Sequence, residues 1–316
     1  MIRRKPIIQI CCLLYLSTRC PEPHLLPCSL RPLLCYKNRM PDSATPLLQI
    51  RGLKTWYPVK TGVLARTVGF VRAVDGVDVD LRRGETLGIV GESGCGKSTL
   101  ARSILRLERP REGSISLNGQ NVLALRGAAL RAYRRTVQVV FQDPHASLNP
   151  RHTVLELLTE AMLVHGLVTR ERRREAAFRL LTDVGLPDDI LDRYPHAFSG
   201  GQRQRLCIAR ALALGPQLLI CDEAVSALDL SVRAQVLNLL EELKAKHGLS
   251  YLFITHDIGV VQHIADRIAV MCRGKIVETG PADDVLERPV HPYTRLLLRA
   301  VPRIGVPLPE EPSLEA

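Results

Sequence analysis

The stretch LGIVGESGCGKST, residues 87–99, decides the fold class. Its first four residues read as a short apolar strand, and Gly91 to Ser98 satisfy the pattern GxxxxGK[ST]. Glycines let backbone N–H groups surround phosphate oxygens, and a helix that starts at the end of such a loop adds its positive dipole end. The motif therefore predicts a strand, a loop that binds the phosphates of a nucleotide, and a helix from Thr99 to Leu107.

Further apolar runs extend this unit into a sheet. They are rich in Val, Ile and Leu, and helical patterns separate them. Because strands that are apolar along their whole length are typical of sheets covered on both faces, the runs predict a parallel sheet. The runs are Leu87–Val90, Val137–Phe141, Leu218–Cys221, Tyr251–Thr255 and Ile268–Cys272.

Three other regions differ from this pattern. Residues 47–86 alternate sides and turn at Arg83–Gly84, as expected of an antiparallel portion, and residues 113–120 read as a hairpin. Residues 151–196 hold two patterns of helical spacing with no strand between them, which predicts a helical insert. Residues 281–301 are predicted to form a helical tail.

Two polar groups outside the loop also point to phosphate chemistry. Asp222 and Glu223 end an apolar strand, where the first acid can hold Mg²⁺ through water and the second can orient or activate an attacking water. Ser199, Gly200 and Gly201 precede a helix predicted over Leu206–Leu214 and form a second anion-binding arrangement. The alternative for Ser199 is a simple helix N-cap. All these polar groups are expected at the C-terminal ends of parallel strands, where open α/β sheets bind ligands.

These motifs together resemble a nucleotide-binding subunit of the ABC transporter family, over residues 47–301. The order and spacing of six motifs carry the resemblance. Gly91–Ser98 is similar to the Walker A loop, Leu218–Glu223 to the Walker B strand, FSGGQ at 198–202 to the signature, Gln142 to the Q-loop, Ser226–Asp229 to the D-loop, and His256 to the switch histidine.

The resemblance implies an α/β fold, that of a P-loop NTPase cassette with a mainly parallel core sheet, an antiparallel β portion and an α-helical subdomain at about 151–197. It implies ATP and Mg²⁺ as cofactors and Glu223, His256 and Gln142 as catalytic residues. The expected ATP contacts are Tyr57, Gly91, Glu92, Ser93, Gly94, Cys95, Gly96, Lys97, Ser98 and Thr99. The expected Mg²⁺ site uses Ser98, Gln142 and Asp222.

In the family, two cassettes sandwich two ATP molecules head to tail. Ser199, Gly200, Gly201 and Gln202 would then reach the ATP of the partner subunit, and Asp229 would lie in the D-loop. For the aromatic side chain that stacks on adenine, Tyr57 aligns best within LKTWYPV, and Trp56 is the alternative. Cys95 inside the loop suggests that alkylation of its thiol blocks ATP binding.

The C-terminal tail, at about 281–302, indicates which group of the ABC transporter family the chain resembles. RPVHPYTRLLLRAVP, residues 288–302, resembles the tail of oligopeptide and dipeptide importer cassettes, and YPHAFSGGQRQR resembles their second, F-type ATPase. The implied partners are two transmembrane permeases, a sister ATPase or a second copy, and indirectly an extracytoplasmic solute-binding protein. The implied location is the cytoplasmic face of the plasma membrane. Nickel, glutathione or another small solute is the alternative cargo.

Charge and cysteine distribution set the first residues apart. Net charge is +11, but residues 1–39 contain seven Lys or Arg and one acid, together with five of nine cysteines. The remainder is only mildly basic, so we expect no nucleic-acid partner. We expect Met40 to be the true start, residues 1–39 to be a non-native or disordered extension, and residues 303–316 to be a disordered tail.

A different class remains as an alternative, a soluble ABC ATPase that acts on DNA or ribosomes. The single cassette, the absence of a zinc-type cysteine spacing and the transport-type tail argue against it.

Overall fold

The computed structural model describes residues 46–61 and 66–300. The extension predicted at 1–39 and the tail predicted at 303–316 lie outside the described residues. The strands are β1 (Leu48–Thr61), β2 (Arg66–Leu81), β3 (Thr86–Val90), β4 (Glu112–Leu117), β5 (Gln120–Asn121), β6 (Val137–Val140), β7 (Leu218–Asp222), β8 (Ser250–Thr255), β9 (Arg267–Cys272) and β10 (Lys275–Pro281).

Helices connect these strands and cover the sheets. They are α1 (Lys97–Ile104), α2 (Gly127–Thr136), α3 (Pro144–Ser147), α4 (Val154–Val164), α5 (Arg173–Asp183), α6 (Gly200–Leu212), α7 (Leu230–His247), α8 (Ile258–Ile264), α9 (Ala282–Glu287) and α10 (Pro292–Arg299). Short 3₁₀ turns occur at 122–124, 188–190 and 195–197. Within the described residues, no helix is both long enough and apolar enough to cross a lipid bilayer.

The strands form two sheets. The larger has the order β10-β9-β3-β8-β7-β6, in which β9, β3, β8, β7 and β6 run parallel and β10 pairs antiparallel with β9. The smaller has the order β2-β1-β4-β5 and is antiparallel throughout. The predicted combination of a mainly parallel sheet with an antiparallel portion is confirmed.

The continuous apolar runs follow from burial on both faces of the larger sheet. On β8, Leu252 and Ile254 join a core shared with α1 and the smaller sheet. Tyr251 and Phe253 point to the opposite face and join a second core shared with the helices α4 to α7. Since neighbouring residues of a strand face opposite sides, a strand buried on both sides needs apolar residues at every position.

Several boundaries differ from the sequence predictions. The helix after the phosphate loop ends at Ile104 instead of Leu107, and Arg106 has a φ of 58°, outside helical geometry. Helix α6 begins at Gly200, six residues before the predicted start, because Ser199 and Gln202 form a capping box there. The predicted helical tail is present as two helices, α9 and α10. The helical segments predicted within 151–196 are present as α4 and α5.

Candidate nucleotide-binding site

Four of the predicted polar groups lie at one edge of the larger sheet. The phosphate loop follows β3, His256 follows β8, Asp222 ends β7 with Glu223 after it, and Gln142 lies two residues beyond β6. These strands are neighbours and run parallel, so their C-terminal ends converge. The expectation was wrong for the segment Ser199–Gln202, which follows a 3₁₀ turn and starts α6 instead of following a strand.

The glycines of the loop permit a close backbone approach. A Cβ atom added at Gly91 would lie 2.1 Å from the carbonyl oxygen of Met271. A Cβ atom added at Gly96, whose φ is 110°, would lie 2.0 Å from the carbonyl oxygen of Ala73. Any side chain at either position would therefore push the loop away from β9 or β2.

Lys97 is buried within the loop, with 4% of its surface exposed. Its ammonium group donates hydrogen bonds of 2.7 Å to the carbonyl oxygens of both Gly91 and Glu92. The charge is thus held at the centre of the loop, where the backbone N–H groups at the start of α1 also converge. This arrangement suits an anionic ligand.

Ser98 and Asp222 are brought together from two elements. The Ser98 hydroxyl on α1 donates to Asp222 Oδ1 on β7 at 3.0 Å. Burial raises the pKa of the Asp222 carboxyl, and the Ser98 hydrogen bond only partly opposes this effect. A carboxylate and a hydroxyl oxygen are the kind of ligands that Mg²⁺ takes while keeping several waters. The pair therefore fits the predicted magnesium site, and the cation would compensate the buried charge.

Glu223 and His256 form a second pair beside it. His256 Nδ1 lies 3.1 Å from Glu223 Oε1. The Glu223 side chain is 17% exposed and that of His256 is 52% exposed, so both can reach a ligand at the sheet edge. Glu223 has a φ of 52° while its N–H donates to Ile254 O at 2.8 Å, which turns the side chain out of the strand direction.

Gln142 is exposed and has no hydrogen bond to Ser98 or Asp222 among the described contacts. The structure therefore does not join it to the other two predicted magnesium ligands. The segment after it is anchored to α6, since Arg210 donates to the carbonyl oxygen of Ser147 and Arg203 Nη1 contacts the His145 ring. The sequence analysis did not single out these arginines.

The signature segment caps its own helix. Gln202 N donates to Ser199 Oγ at 3.4 Å, and Ser199 N donates to Gln202 Oε1 at 3.0 Å. The N-cap alternative is thus present in the structure, and it leaves the exposed Gly200 next to the cap. Gly201 packs against α7, because a Cβ atom added there would lie 2.5 Å from Val232 Cγ1.

Asp229 lies at the N-cap of α7, is exposed, and makes no side-chain cap hydrogen bond. One turn later, Arg233 pairs with Asp257 at 2.5 Å. Asp257 directly follows His256, so this ion pair joins the start of α7 to the predicted switch histidine. Sequence reasoning missed Arg233 because no local pattern links it to residue 257.

The two candidate adenine-stacking residues have different surroundings. Trp56 lies with the guanidinium groups of Arg72 and Arg111 each 4.8 Å from its ring centroid. Within the part of the chain that the structure describes, no cation lies over the ring of Tyr57. Tyr57 shares a strand face with Thr55, whose hydroxyl lies 2.9 Å from the Ser103 hydroxyl on α1. Tyr57 therefore stays the predicted adenine-stacking residue, with Trp56 as the alternative.

Comparison with known proteins agrees with this geometry. The sequence model described as "ABC transporter" matches residues 74–226, and the model of the oligopeptide/dipeptide transporter C-terminal region matches residues 277–315. The oligopeptide transport ATP-binding protein AppF of Bacillus subtilis is 51% identical over 257 residues, which are 81% of this chain and 78% of AppF. This chain belongs to the ABC transporter family. It is an ATP-binding cassette and an ATPase of that family.

Other relatives extend the comparison. The dipeptide transport ATP-binding protein DppF of Escherichia coli is 51% identical over 82% of this chain and 78% of DppF. The glutathione import ATP-binding protein GsiA of Pectobacterium atrosepticum is 52% identical over 84% of this chain, which spans only 43% of GsiA. Among solved structures, the dimeric ATP-binding cassette MJ0796 bound to ADP and Pi matches with a TM-score of 0.65 and 29% sequence identity. The match covers 74% of this chain and 98% of the MJ0796 chain.

Proposed function

We propose that this ABC cassette powers an importer for dipeptides and oligopeptides. The observation that carries the proposal is the C-terminal match at residues 277–315 to the oligopeptide/dipeptide transporter region. The relatives named for dipeptide and oligopeptide transport, each about half identical to this chain, support the same cargo.

In the proposed hydrolysis of ATP, the paired side chains at the sheet edge have separate roles. Lys97 and the loop N–H groups would hold the phosphates. Ser98 and Asp222 would hold Mg²⁺, which would supply positive charge to neutralise the phosphate oxygens. Glu223 accepts the proton of the attacking water or orients it. His256 Nδ1 lies 3.1 Å from Glu223 Oε1 and would orient that carboxylate. The proposed role of His256 also includes a contact to the terminal phosphate.

We further propose a head-to-tail pair of cassettes. Ser199, the N-cap of α6, and Gly200, its first residue, are exposed and do not follow a strand of the catalytic edge, so the ATP of a partner subunit could reach them. The dimeric form of the solved relative MJ0796 supports this arrangement. A sister ATPase is the favoured partner, because the chain resembles the F-type of two importer ATPases.

The membrane partners are proposed from the same resemblance. Two transmembrane permeases would dock on the helical region that contains α4 and α5, and the cassette would lie on the cytoplasmic face of the plasma membrane. The segment after Gln142 is the proposed link, because its helix α3 contacts α6 through Arg210 and Arg203. A change at the phosphate edge can thereby move the helical region.

Glutathione is the second candidate cargo. The GsiA relatives are 52% identical and carry that substrate in their names. Glutathione is itself a small peptide, so the cassette alone does not separate the two cargoes, and the choice would rest with an extracytoplasmic binding protein.

The test is purification of the tagged chain from its native membrane in mild detergent, with every co-purifying subunit identified. Two permeases, a sister ATPase and a peptide-binding protein would support the proposal. Recovery of a glutathione-binding protein would support the importer proposal but make glutathione the transported solute. Recovery of the cassette without any membrane protein would refute the importer proposal.

Uptake measurements give a functional control. A strain that lacks the gene should lose uptake of labelled dipeptides or oligopeptides, and the wild-type chain should restore it. Glu223→Gln should assemble into the same complex without restoring uptake. Uptake that is equal in the presence and absence of the gene would contradict the peptide cargo.

A further inference from the structure

Helix α10 contacts the phosphate loop through the side chain of Tyr293. The Tyr293 hydroxyl, on the first turn of α10, accepts a hydrogen bond from the backbone N–H of Glu92 at 3.2 Å. Glu92 is the second residue of the phosphate loop and is 201 positions away in the sequence. A contact between such distant segments is a product of the tertiary fold and has no signature in either local motif.

The same loop peptide also contacts the loop lysine. The N–H of Glu92 and the carbonyl of Gly91 belong to one planar peptide unit, so they move together. That carbonyl accepts from Lys97 Nζ at 2.7 Å. Tyr293 and the Lys97 ammonium therefore hold opposite sides of one rigid plane. A rotation of this plane that breaks the tyrosine bond also moves the lysine acceptor.

The position of Tyr293 is itself fixed from two directions. Glu278 on β10 accepts from the backbone N–H groups of Val290 at 2.8 Å and His291 at 3.0 Å. His291 Nδ1 then accepts from Tyr293 N at 3.1 Å and caps the helix. These bonds leave the first turn of α10 little freedom.

Packing provides the second restraint. The Tyr293 ring and Leu297 pack against an apolar cluster that includes Val90, the residue directly before the loop, and Val285 of α9. Burial raises the pKa of the Tyr293 hydroxyl, so it stays protonated and neutral at physiological pH. A neutral hydroxyl can accept from the Glu92 N–H without placing a negative charge near the phosphates.

We propose that Tyr293 is a positioning residue for the phosphate loop, so that docking of the C-terminal helix sets the affinity of the cassette for ATP. The proposal rests on the nucleotide site described above. Tyr293 acts through the Gly91–Glu92 peptide and touches no reacting atom. A C-terminal segment that a partner or regulator lifted from β10 would lower nucleotide affinity without any change at the catalytic carboxylate.

The test compares Tyr293→Phe with the wild type in the full chain. The substitution keeps the ring and removes only the acceptor for Glu92. We expect the Kd for Mg-ATP, and the KM, to rise about three- to tenfold, as loss of one hydrogen bond predicts, while kcat stays within twofold. The Glu92 amide should also exchange faster with deuterium. Unchanged ATP affinity and unchanged Glu92 exchange would overturn the proposal.

Two further variants control for general loosening. Tyr251→Phe removes a buried tyrosine hydroxyl that donates to Leu240 O at 2.8 Å, away from the loop. It should lower the melting temperature and leave the Kd for ATP unchanged. Glu278→Gln should shift ATP affinity in the same direction as Tyr293→Phe, and the double variant should add little. Strict additivity would contradict the proposed pathway.

The wild-type control separates this inference from the proposed function. If the wild-type chain fails to bind Mg-ATP, the proposed function fails first. If the wild type binds Mg-ATP and Tyr293→Phe binds it equally well, only the positioning role is lost.

Discussion

His256 Nδ1 lies 3.1 Å from Glu223 Oε1, and each residue directly follows one of two neighbouring parallel strands, β8 and β7. The pair is 33 residues apart in sequence and is assembled only by the sheet. It places a carboxylate and an imidazole side by side at the edge where the phosphates are expected. We therefore expect loss of this contact to slow ATP hydrolysis more than it weakens ATP binding.

The first prediction concerns this carboxylate. Glu223→Gln should bind ATP with near-normal affinity but hydrolyse it at least ~100-fold more slowly, because an amide cannot accept the proton of the attacking water. Steady-state phosphate release and equilibrium ATP binding measure the two effects. Glu241→Gln, an exposed change on α7, is the matched control and should behave as the wild type. Near-normal turnover in Glu223→Gln would contradict the role.

The second prediction tests the magnesium pair. Ser98→Ala removes the hydroxyl that bonds Asp222 at 3.0 Å. The Mg²⁺ concentration for half-maximal ATPase activity should rise about tenfold or more, since altered metal contacts commonly cost that much affinity. Ser103→Ala on the same helix removes a hydroxyl bonded to Thr99 O at 2.8 Å and should leave the Mg²⁺ dependence unchanged. Equal Mg²⁺ curves for both variants would exclude Ser98 as a ligand.

The third prediction concerns the packing of the signature helix. Gly201→Ala should lower the free energy of unfolding by about 1–3 kcal/mol, because its Cβ atom would lie 2.5 Å from Val232 Cγ1. Denaturant titration measures the change. Val232→Ala makes room at the same contact, so the double variant should recover part of the loss. A double variant less stable than the two single effects combined would contradict the steric explanation.

The fourth prediction separates the two aromatic candidates. Tyr57→Ala should raise the Kd for ATP by about tenfold or more, since base–aromatic stacking contributes about 1–3 kcal/mol. Trp56→Ala should instead lower stability, because it removes the ring that the Arg72 and Arg111 guanidinium groups contact, and leave the Kd for ATP nearly unchanged. Fluorescent-nucleotide titration and thermal unfolding distinguish the outcomes. A reversed pattern would make Trp56 the stacking residue.

The fifth prediction is a pH dependence. Burial raises the pKa of the Cys95 thiol, which the nearby Lys97 charge opposes only in part, so thiolate is scarcer there at neutral pH than in a free cysteine. Alkylation of Cys95 should be slow at pH 7 and should still accelerate above pH 9. Peptide mass spectrometry measures the rate, with the more exposed Cys272 as an internal reference. Fast labelling at pH 7 would contradict the prediction.

The effect of Cys95 alkylation on ATP binding is measured separately from the rate of alkylation. Full modification of Cys95 should abolish ATP binding, because the residue is only 8% exposed and its Sγ lies 3.7 Å from Lys97 Nζ. Unchanged ATPase activity after complete modification would refute the hypothesis drawn from the sequence. The effect should be absent after modification of Cys272 alone.

The sequence by itself determined the phosphate loop, the acid pair, the strand pattern and the family. Each of these is local: Gly91, Lys97 and Ser98 stand at fixed spacing, and a strand such as β8 must be apolar throughout when both of its faces are buried. The predicted start of α6 was wrong because it was placed at Leu206, where the apolar helical pattern begins. The capping box formed by Ser199 and Gln202 starts the helix earlier, and these two residues are also part of the signature motif.

Only the tertiary structure decided which side chains meet. The contacts Ser98–Asp222, Glu223–His256, Arg233–Asp257 and Glu92–Tyr293 join segments from 24 to 201 residues apart. Sequence spacing constrains such pairs weakly, because strand order and helix docking set their distances. The sequence therefore named the chemical groups of the nucleotide site. The order β9-β3-β8-β7-β6 and the docking of α10 determined how they are held.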